Sequence, residues 1–250
     1  MPYFVANGVR LHTRSLGKGS PVVMLHGLLV GNMTTWLFTG AQALASEHRV
    51  HLYDLRGHGL SEQPPSGYDV STMTDDLEAF VAGHLSVPVD LVGHSYGALV
   101  ALHYAQRHPE HVRRLILVEA PVESSALSEW VDFLSLPPSE MMDALPAPLQ
   151  VEMERGGRRA RRWVSALSSL ATETTVLRDC QIDPVCESDW SKVQAKTLLV
   201  YGDRSACVDG GHRLQQCIQG SELQILEGGH YLTMDAAAAL NTLLVEFLHG

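Results

Sequence analysis

Leu91 Val92 Gly93 His94 Ser95 Tyr96 Gly97 sets a Gly-x-Ser-x-Gly pattern between an apolar run and a segment of helical composition. Val87, Val89, Leu91 and Val92 read as a buried strand, and Ala98, Leu99, Val100, Ala101, Leu102, Tyr104 and Ala105 as a buried helix rich in small residues. A serine on so sharp a strand-to-helix turn is forced into strained backbone geometry, and a Cβ on either flank would strike the adjoining strand or helix. Gly93 and Gly97 remove those atoms. The expected result is a nucleophile elbow that lifts the Ser95 hydroxyl off the sheet. Three residues alone also fit an ordinary turn, so the partners of Ser95 decide the reading.

Before the elbow, the chain has the make-up of a sheet edge followed by buried strands. Tyr3 to Ala6 and Val9 to Ser15 flank Asn7 Gly8, a dipeptide that readily supplies the positive φ angles of a two-residue hairpin. Val22 Val23 Met24 Leu25 is a short continuous apolar run of the kind buried on both faces, and His26 Gly27 ends it. Trp36 to Ser46 reads as a helix and Arg49 to Tyr53 as the next strand. The glycines of Asp54 Leu55 Arg56 Gly57 His58 Gly59 Leu60 Ser61 suit a tight loop, in which Asp54 and Arg56 are expected to form a structural ion pair. Ser71 to Leu85 reads as a helix, with Asp75 and Asp76 early enough to complement its dipole.

After the elbow helix, His108 Pro109 Glu110 is a stop signal, and Val112 to Val118 is a strand with Glu119 at its end. From Ala120 to Ser191 the alternation breaks: prolines punctuate the stretch, no clear apolar strand occurs, and the pieces around Trp130, Met141 and Trp163 show helical spacing. Such helices, laid over strand ends, would cover a site with apolar surface and favour an apolar or mixed substrate. For Trp130 or Trp163 taken singly, packing the lid onto the core is the better reading. The run Arg155 Gly156 Gly157 Arg158 Arg159 Ala160 Arg161 Arg162 reads first as a solvated helix face and second as an entrance for an anionic substrate. Alternation resumes at Ala195 to Tyr201, followed by Gly202 Asp203, and at Leu223 to Leu226, followed by Glu227 Gly228 Gly229 His230. A helix from Ala236 to Leu248 closes the chain. Ser95, Asp203 and His230 thus each stand just beyond a strand.

At 250 residues the chain accommodates one large α/β domain with an insertion. No apolar run approaches the roughly 20 residues needed to span a bilayer. The formal net charge of -10 opposes nonspecific attraction to nucleic acid or anionic lipid, and the arginine run lacks interleaved aromatics. Bulk charge therefore names no partner, and the small-molecule substrate expected here, with no nucleic acid, rests on the apolar cover over the strand ends. Met1 to Asn7 offers neither a basic n-region nor an apolar h-region, so a cytoplasmic location is expected. Cys180, Cys186, Cys207 and Cys217 lack Cys-x-x-Cys spacing, which suggests neither a zinc site nor a redox motif, and reduced thiols are expected.

On His26 Gly27, the Asp54 to Ser61 loop, Gly93 to Gly97, Gly202 Asp203 and Gly229 His230, the chain resembles the α/β-hydrolase superfamily, in particular its members with a helical cap, over essentially its whole length. The resemblance implies an α/β fold with a mostly parallel central sheet flanked by helices, a core of residues 1–119 and 192–250, and an inserted helical cap at 120–191. It implies Ser95 as nucleophile, His230 as base and Asp203 as the acid that holds the imidazole tautomer, with Glu119 the second candidate for that acid. Cys207 departs from the proline that relatives often carry there, which leaves Asp209 as a remote substitute for Asp203. Leu28 and Tyr96 would offer backbone N–H groups to a tetrahedral oxyanion, worth roughly 3 kcal/mol each. His26, Trp130 and Trp163 are candidates for substrate contact, and no metal or organic cofactor is implied.

The activity implied is that of a serine hydrolase acting on a carboxylic ester or thioester through an acyl-enzyme. The alternatives are a carbon-carbon bond hydrolase for a diketone acid, whose members commonly carry asparagine where His94 stands, a cofactor-free biosynthetic enzyme or perhydrolase, and a non-catalytic ligand-binding protein on the same scaffold. Serine at position 95 argues against the haloalkane dehalogenase and epoxide hydrolase relatives, which use an aspartate nucleophile.

Overall fold

The chain enters its sheet through Asn7 and Gly8, whose φ angles of 48° and 74° give the tight turn that their residue types predict. This computed structural model describes residues 2–28, 31–123, 131–133, 135–143, 150–151, 158–181 and 187–250, of which 138, 139, 142, 158–161, 187 and 188 are described as backbone only. Eight strands form one sheet: β1 (Tyr3–Ala6), β2 (Val9–Leu16), β3 (Ser20–Leu25), β4 (His48–Tyr53), β5 (Val89–His94), β6 (Val112–Val118), β7 (Lys196–Gly202) and β8 (Glu222–Leu226). Their spatial order is β1-β2-β4-β3-β5-β6-β7-β8. β1, β2 and β4 pair antiparallel, and every pairing from β4 to β8 is parallel.

The order makes the site. From β3 the chain moves outward to β4, then crosses back over β3 to β5, so the strand order reverses between β3 and β5. Ligands of open parallel sheets bind beyond the strand ends at such a reversal. His26 follows β3 and Ser95 follows β5, on the two sides of that crevice.

The parallel strands β3 to β7 are buried on both faces over most of their length, while β8 at the sheet edge is largely exposed, so the apolar residues of β3 to β7 divide alternately between two layers. Val22, Met24, Val50, Val92, Ile116 and Val200 pack with Trp36 and Leu37 of α1 (Thr34–Leu37), Leu44 of α2 (Gly40–Leu44), and Leu240, Leu244 and Phe247 of the closing helix, Ala237–His249. Val23, Leu25, Leu91, Leu115, Leu117 and Leu199 pack on the other face against α3 (Val70–His84) and α4 (Tyr96–Arg107). Ala98 to Leu102 of α4 have no exposure at all, which explains the density of small apolar side chains after the elbow.

Two local expectations differ. Trp36 to Ser46 is not one helix but the pair α1 and α2, because the backbone leaves helical geometry at Thr39 (φ −118°, ψ −108°) and restarts at Gly40, where a Cβ would lie 2.7 Å from Leu244 Cδ1. Helix α3 starts at Val70 and is capped by Asp69, whose carboxylate accepts from Thr72 N at 2.9 Å. Asp76 does not serve the helix dipole. It turns inward and pairs with Arg56 through bonds of 2.8 and 2.7 Å.

Between β6 and β7 no strand occurs among the described residues. The segment holds α5 (Pro138–Asp143), α6 (Arg158–Glu173), α7 (Val176–Asp179) and a 3-10 turn at Glu187–Lys192. Val164, Leu167 and Leu170 form the buried stripe of α6, at the spacing that put them on one face in the sequence. Asp179 fastens the end of the segment to the core, accepting from Gly67 N at 3.1 Å and Tyr68 N at 3.0 Å. Helix α8 (Val208–Cys217) follows β7, and α9 (Leu232–Asp235) precedes α10, the closing helix. Among the described residues, no helix is long and apolar enough to cross a membrane.

Candidate active site

Ser95 adopts φ 54° and ψ −125°, one of three non-glycine residues with positive φ among the described residues. The flanking glycines make this possible. A Cβ at Gly93 would lie 2.4 Å from the Gly97 carbonyl oxygen and 2.5 Å from Ala98 Cα, and a Cβ at Gly97 would lie 2.4 Å from the His26 carbonyl oxygen. The elbow is therefore wedged between its own helix and the end of β3.

His230 reaches the serine from the loop after β8. Its Nε2 lies 2.9 Å from Ser95 Oγ, and its Nδ1 lies 3.1 Å from Glu119 Oε2. These contacts assign the proton of the neutral ring to Nδ1, donated to Glu119, and the Nε2 lone pair to the serine hydroxyl. Glu119 follows β6 with φ 56° and has no exposure. Its Oε1 accepts from Gly202 N at 2.5 Å, and its Oε2 also accepts from the Ser205 hydroxyl. A buried carboxylate held by two further donors is a firm anchor for an imidazole.

Asp203, the first choice for the acid, is not brought to the ring. Its carboxylate accepts from Gly228 N at 2.9 Å and pairs with Arg204 at 3.3 Å, on the half-exposed side of the loop. The reason is the register of the strand ends. Ser95 N bonds to Val118 O, and Glu119 N bonds to Val200 O, each at 2.9 Å. This puts Glu119 one strand from the elbow and Asp203 two strands from it. Asp209, the remote substitute, lies in the first turn of α8.

Leu28 and Tyr96 are the two amides expected at an oxyanion hole. Among the described residues neither N–H has an acceptor. Tyr96 is the first residue of α4, where N–H groups are free by geometry. The Leu28 amide is aimed indirectly. His26 Nδ1 donates to the Gly27 carbonyl at 2.7 Å, and the N–H across the same trans peptide therefore points the opposite way. Gly27 itself abuts Ser95, since a Cβ there would lie 2.9 Å from Ser95 Cβ.

His26 corrects an expectation. It is fully buried, and its Nε2 accepts from Leu55 N at 2.9 Å, so both ring nitrogens are spent on main chain and none is left for substrate. Burial lowers its pKa and keeps it neutral. The expected Asp54–Arg56 pair is also absent. Asp54 accepts from Met33 N at 2.7 Å, Leu60 N at 3.0 Å and His12 Nδ1 at 2.9 Å, while Arg56 belongs to Asp76.

Two residues that depart from the family pattern, His94 and Cys207, stand against the His230 loop. His94 Nε2 donates to the His230 carbonyl at 3.0 Å, and burial together with the adjacent His230 ring pushes its pKa down to about 3, so it stays an uncharged donor. Cys207 Sγ lies 3.7 Å from His230 Nδ1. Trp163 joins the apolar cluster of Met141, Val164 and Leu167 that also gathers Leu28, and among the described residues its buried Nε1 has no hydrogen-bond partner. Trp130, Arg155, Gly156 and Gly157 lie outside the described residues, and of the other arginines in the run only Arg162 is described with its side chain, which is exposed. A cleft of about 490 Å³ bordered by His12, Met33, Asp54 and Leu60 contains none of Ser95, Glu119 or His230.

A family model described as the alpha/beta hydrolase fold matches residues 20–155. The pimeloyl-acyl-carrier-protein methyl ester esterase of Chromobacterium violaceum is 41% identical over 111 residues, which is 44% of this chain and only 41% of that protein's length. The 2-hydroxy-6-oxo-2,4-heptadienoate hydrolase of Pseudomonas putida is 27% identical over 264 residues, covering 98% of this chain and 94% of that one. Among solved structures, the enol-lactonase of Burkholderia xenovorans has a TM-score of 0.83 at 22% identity and covers all of both chains, a likeness of fold. With more than half of the chain inside the family match, and with the sheet order and helical layers of that fold present, the protein belongs to the α/β-hydrolase fold family and is a hydrolytic enzyme.

Proposed function

We propose that this enzyme is a serine hydrolase that cleaves a small to medium, apolar or mixed carboxylic ester or thioester through an acyl-enzyme. The observation that carries the reading is the file of atoms from Ser95 Oγ to His230 Nε2 and from His230 Nδ1 to Glu119 Oε2, spaced 2.9 and 3.1 Å. In this mechanism Ser95 attacks the carbonyl carbon as His230 takes its proton. Glu119 holds the Nδ1–H tautomer and stabilises the imidazolium that forms. The negative oxygen of the tetrahedral intermediate is met by the amides of Leu28 and Tyr96. His230 returns its proton to the leaving group, then activates water to release the acid. The helices between β6 and β7 act as a cap, and the apolar cluster shared by Trp163 and Leu28 supports an apolar acyl or alcohol group.

The test is hydrolysis of short-acyl p-nitrophenyl esters. Wild type turns them over and takes a fluorophosphonate label at Ser95, whereas Ser95→Ala does neither. Full activity in Ser95→Ala would sink the proposal, and folded wild type that refuses the label points instead to a ligand-binding protein on this scaffold.

A second reading is a carbon-carbon bond hydrolase for a diketone acid. It is favoured by the near-complete coverage of the Pseudomonas relative and by exposed Arg162 on α6 as a contact for an anionic substrate. A panel that sets a vinylogous diketone acid against neutral esters separates the two, because only the second reading gives the acid the higher kcat/KM.

A further inference from the structure

Glu119, Cys207 and His230 present one oxygen, one sulfur and one nitrogen that all lie within 4.8 Å of one another. Nδ1 of His230 is 3.1 Å from Glu119 Oε2 and 3.7 Å from Cys207 Sγ. A tetrahedral zinc ion with ordinary bond lengths has edges of roughly 3.4 Å between nitrogen and oxygen ligands and roughly 3.6 Å between nitrogen and sulfur ligands. The resting distances are already within a few tenths of those edges. The ligands are also held in place: Ser205 Oγ bonds to Glu119 Oε2 and accepts from Cys207 N at 3.1 Å, which ties two of the three to one loop. The donor set of thiolate, imidazole and carboxylate suits a borderline-soft divalent ion and discriminates against magnesium and calcium.

We propose that Glu119, Cys207 and His230 form an inhibitory site for a divalent transition metal of the zinc type. The ion binds Nδ1, Sγ and Oε2, and water fills a fourth position. The Cys207 thiol gives up its proton to solvent, and the ring proton of His230 moves from Nδ1 to Nε2, so one proton is released for each ion bound. Nε2 then carries a hydrogen against Ser95 Oγ and has no lone pair with which to take the serine proton. Hydrolysis stops although Ser95 is untouched. The inhibition rests on His230 acting as the base, and the binding does not.

Two readouts keep these apart. Cobalt(II) titrated into wild type produces a thiolate-to-cobalt charge-transfer absorption. Ser95→Ala keeps that band, and Cys207→Ser and Cys207→Ala lose it. In parallel, zinc suppresses ester hydrolysis by wild type reversibly on chelation, and its potency, taken against each variant's own rate, falls at least about tenfold in the Cys207 variants. Magnesium does neither. The partly exposed trio His108, Glu110 and His111 is a competing metal binder without sulfur, and it gives no such band. Absence of the band in wild type, or a band and a zinc sensitivity that survive in Cys207→Ser, overturns the proposal. A band lost in Cys207→Ser from an enzyme that hydrolyses no ester leaves the metal site standing and removes the serine-hydrolase reading instead.

Discussion

Glu119 Oε2 lies 3.1 Å from Nδ1 of His230, and the carboxylate that makes this contact is shut off from solvent while that of Asp203 is half exposed. Under the proposed mechanism, Glu119→Gln leaves a hydrogen-bonding side chain that stabilises the wrong tautomer and no imidazolium. It lowers kcat by on the order of a thousandfold or more, with a much smaller change in KM. Asp203→Asn leaves kcat close to the wild-type value, because asparagine keeps an acceptor for Gly228 N and the side chain at 203 does not reach His230. Steady-state kinetics on both variants checks the pair, and a larger loss in Asp203→Asn than in Glu119→Gln reverses the assignment.

The serine pays for its position in backbone energy. At φ 54° and ψ −125° a side chain is disfavoured by roughly 1–3 kcal/mol. Ser95→Gly therefore unfolds at higher urea concentration than wild type, by about 1 kcal/mol after the added flexibility of glycine in the unfolded chain is subtracted. Ser95→Ala, which keeps Cβ, gains less. Equal stability of the two variants would remove the strain.

Arg56 and Asp76 are both nearly inaccessible and share two bonds of 2.8 and 2.7 Å. Burial raises the pKa of Asp76, and the guanidinium opposes that rise. Removing one partner strands a charge in the core, so Asp76→Ala costs about 3–5 kcal/mol in a urea melt. The double variant Arg56→Met, Asp76→Leu recovers much of that loss, because no charge is left to desolvate.

Acid destabilises this protein through its histidines. Burial and a neighbouring imidazole hold His58 at about 4 and His94 at about 3, below the ordinary 6.5. The unfolded chain takes up protons at both positions as pH falls through that ordinary value, and the folded chain does not until the lower values are reached. Stability is thus complete above 6.5 and is lost on the way down, by about 2 kcal/mol for each group near pH 5. Urea melts at pH 7 and pH 5 measure it, and a flat profile contradicts the burial of these rings.

The parts of the site that depend on residue type and order were legible in the sequence. Gly93 and Gly97 announced the elbow because only glycine tolerates carbonyl oxygens at 2.4 Å from where a Cβ would stand. The sheet was equally readable, since continuous apolar runs such as Val22 to Leu25 fit few places other than a doubly covered strand. The contacts that depend on register were not. Glu119 and Asp203 each follow an apolar strand, and nothing in either neighbourhood tells which strand end the His230 loop faces. Arg56 illustrates the same limit, because its partner Asp76 is twenty residues away and was read as part of a helix dipole. His26 looked like a substrate contact because it ends a strand beside the site, whereas the bonds that consume its ring nitrogens come from its own peptide and from Leu55.

β6 and β7 are hydrogen-bonded neighbours, Val118 opposite Val200, although the whole run of helices from α5 to α7 lies between them in sequence. The run begins and ends on adjacent rungs of one ladder, and the rungs are set by main chain alone. Under the proposed function this predicts an exchangeable cassette: a differently shaped insert spliced after Ala120 and before Ala195 leaves Ser95, His230 and Glu119 at unchanged spacing, because the ladder that places them lies outside it. On that proposal, substrate preference changes with the insert while the Ser95–His230–Glu119 contacts stay as they are.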